Sequence, residues 1–131
     1  MKDEIREAVR QWRAKAESDW VSIEILTASE RCPADTVCFH CQQYAEKLLK
    51  ALLTCNDLEA PRTHDLRSLI VAALPFAPEL STLSDRADIL TAHGVASRYP
   101  DDYRVIEPEE MKQMIELAKN FAAIILPKIS D

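Results

Sequence analysis

The run FHCQQYAEKLLKALL, residues 39–53, sets His40, Gln42, Gln43, Glu46, Lys47 and Lys50 among core-type residues. On a wheel of 100° per residue, Val37, Cys41, Tyr44, Ala45, Leu48, Leu52 and Cys55 gather on one side and form a core stripe. Gln43, Glu46, Lys47 and Lys50 gather opposite, at i, i+3, i+4 and i+7, with Glu46 and Lys50 spaced for an i,i+4 ion pair. Phe39 and Leu53 also fall toward this polar side, an unusual place for large apolar groups on a solvated face. The expectation is a two-sided helix. One side builds the core, and the other lines a cleft or a subunit interface.

The rest of the chain supports a helical frame. Its 131 residues suit one domain with a real core. It has a single glycine, Gly94, whereas strands need turns and turns usually need glycine. Five helices are predicted, over about 3–31, 33–56, 65–74, 78–97 and 108–126. The first carries Val9, Trp12, Ala16, Trp20, Ile23 and Leu26 at helical spacing. In the third, Thr63 or Asp65 caps a face of Leu66, Leu69, Ile70 and Ala73; in the fifth, Met111, Met114, Ile115, Ala118, Phe121, Ala122 and Ile125 turn inward. Residues 98–108 read as a loop. The expected fold is an all-α, antiparallel up-and-down bundle of about five helices, a single domain over residues 1–131.

Composition narrows the function classes. A net charge of −6 and a pI near 5.1 argue against non-specific coating of nucleic acid, which needs a basic surface. Arg6, Arg10 and Arg13 form a stripe on helix 1, but Glu7 and Glu17 interleave, as on a salt-bridged surface. The N-terminal MKDEIREAV has no apolar signal region, and FAAIIL at 121–126 is too short to span a bilayer, so a cytoplasmic protein with no membrane contact is expected. Cys38 and Cys41 form a CxxC, but zinc needs two further ligands, and Cys55 lies about 21 Å along the helix. They read as buried or half-buried thiols, and no metal is expected. No Gly-rich phosphate loop, GxSxG or di-iron ExxH is present, so no cofactor is expected.

The quoted run resembles the signature helix of HEPN domains (higher eukaryotes and prokaryotes nucleotide-binding). The resemblance continues in AKAESDWVSIEIL at 14–26, THDLRSLI at 63–70 and SRYPD at 97–101, and covers about residues 10–104. It implies a helical bundle, usually a homodimer, that binds nucleotide or RNA. Many such domains pair with a minimal nucleotidyltransferase, here expected as a separate chain; others are ribonucleases, often toxins. SRYPD is similar to the non-nuclease branch.

By that resemblance the cleft residues are Gln43, Glu46, Lys47, Lys50, His64, Arg98 and Tyr99. Lys47 and Lys50 offer charge to phosphates, Gln43 hydrogen-bonds a base or ribose, and Glu46 holds Lys50 or Arg98 in place. His64 and Asp65 look like the family's His-Asp pair, although Asp65 also suits a helix cap. Tyr99 can stack on a base.

RNA cleavage needs a base near the 2′-hydroxyl and a cation near the phosphate. The family's ribonucleases resemble an Arg and a His with four to six residues between them, and Arg86-ADILTA-His93 has that outer spacing. Ala87 stands where a polar neighbour often follows the Arg. The leading expectation is a non-enzymatic binder of an ATP- or GTP-class nucleotide, the substrate-binding partner of a nucleotidyltransferase. The alternatives are a metal-independent ribonuclease using Arg86 and His93, and a purely protein-binding dimer.

Overall fold

A computed structural model describes residues 2–94 and 104–130. It contains five α-helices: α1 (Asp3–Thr27), α2 (Ala34–Cys55), α3 (Leu66–Ala73), α4 (Ser84–Gly94) and α5 (Pro108–Ile125). The all-α expectation holds, and no strand occurs among the described residues.

Two boundaries differ from the sequence reading. Helix α1 stops at Thr27, four residues early, as the chain turns toward Pro33. The predicted helix over 78–97 divides into a 3-10 segment, Pro78–Leu83, and then α4. Pro78 opens that segment, and its tighter winding turns both Leu80 and Leu83 into the core. The remainder of that prediction, beyond Gly94, lies outside the described residues.

Helix directions follow from the side chains that meet. Trp12 lies beside Lys50 and Trp20 beside Tyr44, so α1 and α2 run antiparallel. Cys32 reaches Met111 at the head of α5, and the Cys55 thiol reaches the Lys128 carbonyl at its foot, so α5 runs parallel to α2. Between them, the chain leaves α2 through a left-handed Asp57 (φ 60°), whose amide bonds Thr54 O while Leu58 N bonds Leu53 O. It then climbs back along α2 until His64 stands beside Gln42 and Glu46. Asp65 caps α3, its carboxylate accepting from Ser68 N, as the sequence suggested. Leu66 N donates to Thr91 Oγ1 and Arg67 pairs with Asp88, which lays α3 antiparallel to α4.

Helix α2 packs against α1, α3, α4 and α5, and is therefore the axis of the bundle. Residues all round it are buried, including Leu49, Ala51 and Leu53 beside the predicted stripe. A helix surrounded on most sides is interior, and an apolar side chain such as Leu53 on its polar face is then unremarkable. On α1, Val9, Ala16 and Ile23 are buried, with Trp12, Trp20 and Leu26 packed at the edge of the core. The inward face of α3 is buried in full as read, and Leu117 joins the α5 face. Cys38 and Cys41 are buried free thiols. Burial pushes each up to about 12, aided at Cys38 by the Glu110 charge and at Cys41 by the neighbouring Cys38, so neither thiol is activated.

Candidate functional site

The polar face of α2 is covered from within the chain itself. Glu46 and Lys50 are both buried, and only Gln43 and Lys47 remain half-exposed. The physical reason is that two segments cover it: α1 on one flank and the climbing 57–65 segment on the other. Each covering segment meets a cluster of one carboxylate, one lysine and one histidine.

The first cluster is built on Glu46. Lys50 Nζ donates to Oε2 at 3.1 Å, the expected i,i+4 pair, but placed inside the protein. Gln42 Nε2 lies 3.1 Å and His64 Nδ1 2.9 Å from Oε1. Burial pushes the Glu46 carboxyl up, but these three donors outweigh it and hold the group below its ordinary value, so it is ionised. The ionised carboxylate makes His64 Nδ1 the donor. Gln42 also donates to the His64 backbone carbonyl at 3.1 Å, and its own oxygen accepts from Gln43 at 2.7 Å.

Gly94 completes the cluster from the end of α4. A Cβ there would sit 2.4 Å from Gln42 Cδ and 2.5 Å from its Oε1, so only glycine allows the carboxamide its place. The Lys50 ammonium also lies 5.7 Å from the centre of the Trp12 ring, with Lys15 at 5.5 Å from that ring. One line of groups therefore runs from His64 through Glu46 and Lys50 to Trp12 and Lys15.

The second cluster is built on Asp19, buried in α1. His40 Nδ1 lies 2.7 Å from Oδ1, and Lys47 Nζ donates to Oδ2 at 2.6 Å. Asp19 joins α1 to α2 and was not singled out from sequence. The signal available was its position three after Ala16 and four before Ile23, an acid inside an apolar stripe.

The nuclease candidates have other neighbours. His93 is nearly buried, and its Nε2 lies 2.9 Å from Glu110 Oε2. Arg104 grips both oxygens of the same carboxylate at 2.8 and 2.7 Å and, chiefly by those bonds, keeps Glu110 below its ordinary value. Arg86 is exposed and has no hydrogen-bond or ion-pair partner among the described residues. Arg98, Tyr99 and the SRYPD motif lie outside the described residues. On the α1 stripe Arg6 pairs with Asp3 and Arg10 with Glu7, as on a salt-bridged surface, while Arg13 and Glu17 have no ion-pair partner among the described residues.

An apolar pocket of about 360 Å³ opens elsewhere, between α1, α2 and α5, with Trp20, Tyr44 and Leu126 in its wall; none of the candidate residues lines it. No cluster of three or more His, Cys, Asp or Glu that could hold a metal occurs among the described residues.

Comparison with known proteins places this bundle. The family model for the HEPN domain matches residues 9–129, nearly the whole chain. The chain belongs to the HEPN-domain family. No curated protein and no solved structure gives a significant match. The HEPN match extends through α5, beyond the stretch whose motifs carried the resemblance. Among the described residues, no helix of this HEPN protein is long and apolar enough to cross a membrane.

Proposed function

We propose that this HEPN protein handles a nucleotide of the ATP or GTP class on the α2 face flanked by α1 and the 57–65 segment. In this reading it is not itself an enzyme, and it acts as the substrate-binding partner of a separately encoded minimal nucleotidyltransferase. The observation that carries the reading is the Glu46–Lys50–His64 cluster. Desolvating a carboxylate and an ammonium contributes little net stability, and apolar residues of the same volume usually serve a core as well. Ionisable groups kept at such a place, beside an aromatic ring and a second lysine, suit a phosphate and a base. Membership of the HEPN family supports a nucleotide- or RNA-related role in general terms. Gln43, half-exposed on the same face, and Lys47, once released from Asp19, complete the recognition surface, and Arg98 and Tyr99 are assigned a part in it by the resemblance of their motif.

The ribonuclease alternative asks His93 to give up Glu110 and Arg86 to find the same phosphate, and no contact among the described residues favours it. The test is calorimetric titration with ATP, GTP and a short RNA, run beside Lys47→Ala and Arg98→Ala. Saturable binding weakened by both variants supports the proposal. No binding to any of the three overturns it in favour of a protein-docking role. Incubation with RNA in EDTA, comparing His93→Ala, decides the nuclease alternative: cleavage lost in the variant would establish it.

A further inference from the structure

His64 is held unusually firmly for a residue on the surface. Its backbone carbonyl is fixed by Gln42 and its ring by Glu46, yet its side chain is 77% exposed. With Nδ1–H committed to an ionised carboxylate, only the Nε2 edge of the ring is left to meet a ligand. That edge is a lone pair when the imidazole is neutral and an N–H donor when it is protonated.

The charge of the cluster makes the choice consequential. Glu46 (−1) and Lys50 (+1) cancel, and Gln42 is neutral, so the cluster has no net charge until His64 takes a proton. On α1, Lys15 lies beyond the Trp12 ring. In the 57–65 segment and the start of α3, Arg62 is exposed, the Asp65 carboxylate is occupied by Ser68, and Arg67 is paired with Asp88 and Asp85. From α4, the near groups are the Gly94 backbone and the Thr91 hydroxyl, while His93 turns to Glu110.

We infer that His64 is the proton-linked phosphate contact of this site: a nucleotide phosphate binds at Nε2 together with one proton, taken from solvent onto that nitrogen. The inference rests on the nucleotide-binding reading above and goes beyond it, because it assigns the contact atom and a pH dependence. Since Nδ1–H is unavailable, a phosphate oxygen can accept a bond from this ring only in the imidazolium form. Binding and protonation are then reciprocally coupled. The affinity falls as pH rises, by about tenfold in all for a tenfold preference between the two ring states.

The experiment is an NMR titration of the three imidazoles of the full chain, with and without saturating ATP, with ATP affinity measured from pH 6 to 8.5. The expected result is a rise of about one unit in the His64 midpoint, equivalent to a tenfold affinity ratio between the two ring states. His40 and His93 should not move. His64→Gln should bind ATP more weakly at pH 6 and lose the protein's share of the pH dependence, leaving only that of ATP's own phosphate. Because the ring is exposed, this variant is expected to fold, and its melting temperature provides the check. If ATP binds while the His64 midpoint stays in place, the inference fails and the nucleotide-binding reading stands. If ATP does not bind at all, both fail.

Discussion

Two clusters with the same chemical inventory sit a few residues apart on α2 and do different work. Asp19, His40 and Lys47 form one; Glu46, His64 and Lys50 form the other. Each has a buried carboxylate, a histidine bound through Nδ1 and a lysine. In the first, histidine and lysine are similarly screened, with side chains 24% and 21% exposed, and the carboxylate comes from the opposite helix. It ties α1 to α2. In the second, the exposures diverge to 77% for His64 and 8% for Lys50, and the carboxylate shares a helix with its lysine. It leaves an imidazole outside and its counter-charge inside. The same three functional groups therefore all turn inward or leave an imidazole facing water, according to how the neighbouring segments cover them.

Substitutions can break this contrast in order of size. The largest effect is expected for Glu46→Ala, which strands Lys50 in the interior. A loss of about 3–5 kcal/mol is expected, measured by urea denaturation. Asp19→Ala should cost less, about 2 kcal/mol, because Lys47 and His40 can both turn to water once released. Gly94→Ala should follow at about 1–2 kcal/mol, since its methyl group collides with the Gln42 carboxamide and displaces it from Glu46. The smallest is His64→Ala, within about 0.5 kcal/mol, the range of an ordinary surface change. If His64→Ala proved as damaging as Asp19→Ala, the two clusters would both be staples and the contrast would collapse.

Acid sharpens the same comparison. The Glu46 carboxyl lies below its ordinary value of 4.5 in the folded protein. Its contribution is therefore complete above about 4.5 and is lost as pH falls through the lower folded value. Between pH 5 and 3 the wild type should lose more melting temperature than Glu46→Gln, whose amide takes up no proton. Equal slopes for the two proteins would show that Glu46 is not held ionised by its partners.

Much of the fold was legible in the chain. Near-absence of glycine, apolar spacing at three and four, and prolines 33, 78 and 108 at or beside helix starts describe local preferences, and local preferences survive folding. The cap at Asp65 and the inward faces of α1, α3 and α5 were readable for the same reason. The 3-10 winding at Pro78–Leu83 was not, because a proline start permits either helix and the core contacts of Leu80 and Leu83 choose. Residues on α2 were harder. The Glu46–Lys50 pair was legible from its spacing, but its burial was not, since a helical wheel has no knowledge of what covers a face. Asp19 drew no role, because its partners His40 and Lys47 lie 21 and 28 positions away, and the bond that ties Gln42 to the His64 carbonyl spans 22.

By itself, the sequence determined that this would be a helical bundle with α2 as a mixed-character helix, because period and composition act within a few residues. Only the tertiary structure decided that α2 is the axis, that its polar face is roofed by α1 and the 57–65 segment, and that His64 alone of its cluster stays outside. Burial is a property of neighbours distant in the chain. It is burial that converts an i,i+4 pair worth a few tenths of a kcal/mol on a surface into a charge pair that cannot lose one member.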